Sequence, residues 1–346
     1  MAYYINGIQQ IGVGNNDVYG TYDWYNKHLG TNVQVFDEAA EASLMLPYTG
    51  GIPRKRHAIL ALNLNGGGGV EIWQYTGRKA VPPKDAIAWG DYGILASCFK
   101  SWDIEASHNA MKSNDFLTDI SINPAGQKHF YTKDLLGNII EVLAYDSWFK
   151  KKKSSTGGVC GAVIGVSNMD ESLKFYQNVL KYDVVLSDTT DSFNDFNALV
   201  SDGSEPKYRR VILTHSDERN GAFSELFGKV QLELIQRIDF DAKKSFEGRL
   251  WGDLGYIHLC YDVNNMDELK EYSSKKGYEF TVDSGDFEMG NAAGRFAYVE
   301  DPDGTLIEFV ETYEVPIVEK LGWSIKLRKR ARKPLPRLMI NAMGWF

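Results

Sequence analysis

The chain has 346 residues, 43% of them apolar and 24% charged, with 38 basic against 46 acidic side chains and a net charge of −8. That length implies two or three domains with room for sizeable cores, and the acidic balance argues against general nucleic-acid binding. No apolar run approaches the roughly 18 residues of a membrane span, and the amino terminus MAYYINGIQQ lacks the basic-then-apolar order of a secretory leader.

The predicted elements fall into four units of one plan: a strand, an amphipathic helix, then strands of which the last carries a glutamate. Unit one runs from Ile8 to Tyr75 and ends in Val70-Glu71-Ile72-Trp73-Gln74. Unit two starts at Gly93, has a helix near Ile104–Ser113, and ends in DLLGNII followed by Glu141. Residues 150–158 (KKKKSSTGG) form a polar, glycine-ended linker between a first half, 1–149, and a second half, 159–318. Unit three starts at Val159 and ends in Leu232-Glu233-Leu234-Ile235-Gln236. Unit four starts at Gly255 (GYIHLCYDVNNMDELKEY) and ends in DPDGTLI followed by Glu308.

The two halves repeat each other. Gln10–Tyr25 (QIGVGNNDVYGTYDWY) superimposes without a gap on Gly161–Tyr176 (GAVIGVSNMDESLKFY), which points to construction by duplication of about 150 residues. Units one and three share an apolar-Glu-apolar ending with a following glutamine, Glu71/Gln74 and Glu233/Gln236. Units two and four share Asp-x-x-Gly-x-x-Ile-Glu, a turn feeding a strand. A lone glutamate at the inward phase of VEIWQY (Glu71) or LIEFVE (Glu308) is costly to bury unless paired, protonated or bound to a cation. Cys98, Cys160 and Cys260 stand singly in apolar runs and read as reduced core thiols of a cytoplasmic protein, with no sulfur metal site.

With DWYNKHLG, ESLKFYQNVLKYD and EDPDGTLIEFVE at matching places, the pattern from about Ile8 to Glu314 resembles the vicinal oxygen chelate superfamily, which includes glyoxalase I, extradiol dioxygenases and bleomycin-resistance proteins. The resemblance implies an α+β fold of four βαβββ modules in two curled mixed-sheet barrels, and ligands drawn from the first and last strand of each module. The first-strand positions here are Gln10, Ala96, Gly161 and His258; the last-strand positions are Glu71, Glu141, Glu233 and Glu308. Pairing units in sequence leaves each cavity one ligand short. Pairing unit one with four and two with three, as dimeric glyoxalase I does between subunits, gathers Gln10, Glu71, His258 and Glu308 in one cavity. The other then holds Ala96, Glu141, Gly161 and Glu233 and lacks a metal set; Glu141 and Glu233 are read as hydrogen-bonded or surface residues. The crossed pairing is the one adopted.

One imidazole, one amide oxygen and two carboxylates suit a single divalent ion, Zn, Ni, Co, Mn or Fe. Such a site favours proton transfer beside a carbonyl through an enediolate, and the resemblance makes Glu308 the main base and Glu71 its opposite partner. Trp73 and Tyr75 share the strand face of Glu71, and Cys260 that of His258, which nominates them to line a substrate cavity. The arginine that glyoxalase I places four residues after its glutamine is Gly14 here, so a thiol carrier other than glutathione, or none, is as open as glutathione itself. The expected function is a metal-dependent lyase or isomerase of glyoxalase type acting on a small carbonyl compound or its thiol adduct, as a monomer or homodimer. The alternatives are a non-catalytic ligand-binding protein, an epimerase, and an extradiol dioxygenase. The last is disfavoured because only one histidine stands at a ligand position. Residues 319–346 leave the module pattern: Lys326, Arg328, Lys329, Arg330, Arg332, Lys333 and Arg337 precede LMINAMGWF. This extension either packs on the acidic barrels, the reading adopted, or docks on a membrane surface or partner.

Overall fold

The computed structural model describes residues 2–289, 292–318, 323–328 and 333–344. Unit one comprises β1 (Tyr4–Asn15), α1 (Val18–Leu29), β2 (Val33–Glu41), β3 (Lys55–Leu62) and β4 (Gly69–Tyr75). Unit two comprises β5 (Gly93–Ser101), α2 (Ile104–Ala110), β6 (Ser121–Ile122), β7 (Lys128–Lys133) and β8 (Ile139–Ala144). Unit three comprises β9 (Thr156–Gly165), α3 (Met169–Asn178), β10 (Val184–Asp191), β11 (Tyr208–Thr214), α4 (Ser224–Phe227) and β12 (Gln231–Arg237). Unit four comprises β13 (Gly255–Asn264), α5 (Met266–Lys275), β14 (Phe280–Asp283), β15 (Phe287–Met289), β16 (Ala292–Glu300) and β17 (Leu306–Val318); β18 (Trp323–Lys326) and α6 (Arg337–Ala342) follow.

The repeated strand–helix pattern folds the same way twice. The side chains of Asp17 and Asn168 cap α1 and α3, accepting from the N–H groups of Gly20 (3.0 Å) and Glu171 (3.2 Å), donors the first turn of a helix cannot satisfy internally. Each helix then ties its half together. Tyr25 of α1 donates to Asp134 of unit two (2.9 Å), and Tyr176 of α3 to Asp301 of unit four (2.8 Å), both inside the core.

The sheets, by contrast, cross the halves. One has the order β14-β16-β17-β13-β1-β4-β3-β2, joining unit four to unit one; the other runs β10-β11-β12-β9-β5-β8-β7-β6, joining unit three to unit two. In each, the first strands of two units form a central antiparallel pair, β1 with β13 and β9 with β5. Each is flanked by its own unit's last strand in parallel. The four ligand positions of a pair of units therefore meet near one sheet centre. These central strands are buried on both faces, which requires the continuous apolar runs seen in the sequence. The result is the expected α+β fold, with the crossed arrangement of units.

The extension lies against the chain itself. β18 pairs with β17, the Leu335 N–H donates to the Ala222 carbonyl (2.9 Å), and Leu335, Ile340 and Ala342 are buried in an apolar cluster with Leu64, Phe149 and Leu226. Arg337 reaches Glu225 at 3.3 Å, while Arg328 pairs with Asp286. Lys329, Arg330 and Arg332 of the basic run lie outside the described residues. Among the described residues no helix is long and apolar enough to cross a membrane.

Candidate metal site

Ladder register builds the site. Gly12 of β1 stands opposite His258 of β13 and beside Glu71 of β4, and Cys260 of β13 stands beside Glu308 of β17. His258 Nε2 lies 3.3 Å from Glu71 Oε2 and 3.0 Å from Glu308 Oε2, and Gln10 Nε2 donates to Glu71 Oε2 at 3.3 Å. One ligand atom each from Glu71, His258 and Glu308 fits within 4.8 Å, the only such grouping among the described residues. The crossed sheet thus brings together all four expected ligands, whose numbers differ by as much as 298.

The imidazole fits only because Gly12 has no side chain. A Cβ there would lie 2.7 Å from His258 Nδ1 and 2.9 Å from Nε2, closer than side-chain carbons approach other atoms. Burial opposes charge on the His258 ring, but the carboxylates of Glu308 and Glu71 outweigh it and hold its pKa at about 10. Burial likewise works to raise the Glu71 carboxyl; the contact with His258, helped by Arg56 and Gln10, leaves it below its ordinary value.

Despite these short distances, Gln10 Oε1, Glu308 Oε2 and both ring nitrogens of His258 are buried without a hydrogen-bond partner. Unpartnered buried polar atoms are rare because each forfeits about 1–3 kcal/mol. Here the amide oxygen and a carboxylate oxygen are electron-pair donors, and the imidazole nitrogen becomes one when a cation displaces its proton, so one divalent cation would satisfy all three together. The residues present fit the metal that the ligand pattern implies.

The nominated cavity residues form a packed wall. Trp73 and Tyr75 are 1% and 3% exposed; the Trp73 ring lies 4.6 Å from that of Trp251, and the Tyr75 hydroxyl donates to the Trp251 carbonyl. Trp251 in turn lies nearly parallel to the His258 ring, at 6.2 Å and 12°. Cys260 is fully buried, its thiol 3.5 Å from Gln9 Oε1 and pushed well up by burial and by Glu308. Arg54 donates to the Thr49 carbonyl (3.3 Å), and the backbone N–H of Trp251 donates to the Tyr48 carbonyl (2.9 Å), so the loop after β2 backs this wall.

In the second sheet Glu141 and Glu233 are 1% and 2% exposed, which excludes the surface role and leaves the hydrogen-bonded one. The cations that satisfy them come from strands that carry no ligand position. Arg210 of β11 meets Glu233 at 2.6 and 3.2 Å and Asp195 at 2.6 Å; His129 of β7 meets Glu141 at 2.7 Å and Asp195 at 3.2 Å. The Cys98 thiol donates to Glu141 at 2.9 Å. Burial opposes charge on His129, yet Asp195 and Glu141 raise it to about 9; burial with the neighbouring Glu141 pushes Glu233 to about 7 in spite of Arg210. By ladder register Arg210 corresponds to Ala58 and His129 to Phe296 in the first sheet. One cavity keeps small and apolar residues where the other inserts its own cations. The absence of non-acidic ligands at Ala96 and Gly161 signalled this loss, but not its partners. The signal for those was two charged residues, His129 and Arg210, inside the alternating strands KHFYTK and YRRVILT.

Residues 160–309 match the family model described as Glyoxalase/Bleomycin resistance protein/Dioxygenase superfamily. Over 149 residues, 43% of this chain, the sequence is 27% identical to a lactoylglutathione lyase of Haemophilus influenzae, covering 88% of that protein. The same length is 24% identical to one from Neisseria meningitidis serogroup B, covering 86%. A mutant glyoxalase I from Zea mays superimposes with a TM-score of 0.55 at 13% identity, over 89% of this chain and 94% of that one; glyoxalase I of Zea mays itself gives 0.50 at 14%, over 90% and 92%. The family model thus matches the second half of the chain, and the likeness to the glyoxalase I fold extends over nearly the whole of it.

Proposed function

We propose that the protein is a divalent-metal-dependent lyase or isomerase of glyoxalase type, with Gln10, Glu71, His258 and Glu308 holding one ion. The observation that carries this reading is the convergence of four residues from four strands and both halves, with donor atoms of Glu71, His258 and Glu308 within 4.8 Å of one another and Gln10 Oε1 buried without a partner. A bound divalent cation would polarise two vicinal oxygens of a small carbonyl compound and lower the cost of removing the neighbouring proton.

The chain's own part is acid–base work in a dry pocket. Glu71 and Glu308 come from β4 and β17, on either side of the central strand pair, and both reach His258 Nε2. One carboxylate removes a proton from one carbon and its counterpart returns it to the next. Glu308 is the main base and Glu71 its partner. His258, wedged between Gly12, Trp251 and Tyr298, holds its position through the reaction. The wall of Trp73, Tyr75 and Cys260 excludes water from this exchange. The lactoylglutathione lyase names of the relatives support the same class of reaction. The substrate need not carry glutathione, since Gly14 offers no cation.

The test is metal content by elemental analysis of the untagged protein, alongside His258→Ala and Gln10→Ala, followed by a screen of 2-oxoaldehydes with and without thiols. About one ion per chain, lost in the first variant and weakened in the second, is expected. Wild-type protein that takes up no Zn, Ni, Co or Mn would eliminate the enzyme reading.

A further inference from the structure

The loops that enter units two and four repeat a short motif outside the ligand positions. Residues 88–94 read AWGDYGI and residues 250–257 read LWGDLGYI. Both form the same turn. Asp91 accepts from the N–H of Ala88 (2.8 Å) and Asp253 from that of Leu250 (2.7 Å), which closes each turn on itself. Each aspartate also holds the linking loop of the opposite half: Asp91 accepts from Lys243 N–H and Asp253 from Val81 N–H, both at 2.8 Å. Gly252 adopts φ +93° and lies so close to Trp73 that a Cβ would run into its ring.

Each turn drives one tryptophan into one curled sheet. Trp89 packs on Phe196 and Tyr131 above the ionic cluster of Arg210 and His129. Trp251 packs on Trp73, Tyr298 and His258. Trp251 also lines a cavity of about 360 Å³ with Tyr48, Phe246, Leu250, Ile257 and Leu306, while its ring stacks on that of His258. It is 7% exposed, and its indole N–H has no partner.

That unmade hydrogen bond differs in kind from those of its neighbours. Gln10 Oε1, Glu308 Oε2 and His258 Nε2 can be satisfied by a cation, but an indole N–H only donates. A cation cannot satisfy it, whereas an oxygen of a bound molecule can.

We propose that Trp251 is a ligand-positioning residue of the metal site: its indole covers the site and its N–H donates to an oxygen of a bound molecule carrying vicinal oxygens. This rests on the metal-site reading above. Trp89 is the internal comparison, with the same turn and the same unpartnered N–H, but before acids already occupied by Arg210 and His129.

The experiment loads the full-length protein with Co(II) and titrates acetohydroxamate, a small ligand with two vicinal oxygens, by calorimetry and by the visible absorption of the ion. Trp251→Phe keeps an aromatic ring and removes the donor. It should bind acetohydroxamate about tenfold more weakly with Co(II) affinity unchanged, whereas Trp89→Phe should match wild type in both. Equal acetohydroxamate affinity in Trp251→Phe and wild type overturns the proposal, as does equal weakening in the two variants. Loss of Co(II) itself in Trp251→Phe would show a mere prop for His258 and also overturns it. Wild-type protein that takes up no Co(II) is distinguished at the first step, and removes the metal reading and this proposal together. Should Trp251→Phe not fold, the Zn-loaded wild type decides. With nitrogen-15 in its tryptophans, acetohydroxamate must shift an indole N–H resonance downfield that Trp89→Phe retains; no such shift overturns the proposal.

Discussion

Gly12→Ala is the most discriminating single change outside the ligands. Its Cβ would meet Nδ1 of His258 at 2.7 Å and Nε2 at 2.9 Å, against ordinary contacts of 3.4 Å or more, so the ring must retreat by about 0.5–1 Å. The ring has nowhere to go: it is fully buried, with Trp251 and Tyr298 packed on it. Overpacking of this kind costs about 1–3 kcal/mol, which for a chain of this size lowers the apo melting temperature by roughly 2–10 °C. Metal ligation tolerates only about 0.2 Å of error in distance, so the displaced nitrogen leaves bonding range. Divalent-ion affinity should fall at least about a hundredfold, or about 2.7 kcal/mol. Competition with a chromophoric chelator measures the affinity, and calorimetric melting of the apo protein measures the strain. His258→Ala completes a cycle. The double variant should bind metal no worse than His258→Ala alone and should recover stability, because the small side chain relieves the clash. Gly12→Ala protein that holds metal as tightly as wild type would refute the placement of His258, and with it the site.

Three further expectations concern the other parts of the molecule. Arg210→Met leaves Glu233, Glu141 and Asp195 together in the core with only His129 to offset them; denaturant unfolding should show a loss of about 3–5 kcal/mol, and an unchanged midpoint would contradict the cluster. His129 is raised from 6.5 to about 9, so its ion pairs contribute fully below pH 6.5 and their contribution is lost as pH rises through 9. The stability gap between wild type and His129→Gln should therefore be largest near pH 6, up to about 3 kcal/mol, and shrink by pH 9.5; a gap that stays constant sinks this reading. Ile340→Asp introduces a charge into the cluster under α6 and should lower the melting temperature with Co(II) affinity unchanged, since α6 packs on a face away from the ligands; an unchanged melting temperature would mean that α6 does not dock there.

Much of this is legible in the sequence. The repeat at Gln10 and Gly161, the matched endings at Glu71, Glu141, Glu233 and Glu308, and the lone histidine at a ligand position defined the units and nominated the site, because strand periodicity of two states which side chains share a face. Strand pairing across 250 residues leaves no local mark. Only the tertiary structure decided that β1 lies beside β13, and hence that Gln10 and Glu71 meet His258 and Glu308. The same holds for Arg210 and His129, whose strands look like any alternating edge until the sheet curls and turns them inward. It holds equally for Trp251, which reaches His258 through a turn whose aspartate is anchored to the other half. Local sequence specifies elements and faces; which faces come together is settled by the long-range burial of apolar strands, and the sites are a consequence of that choice.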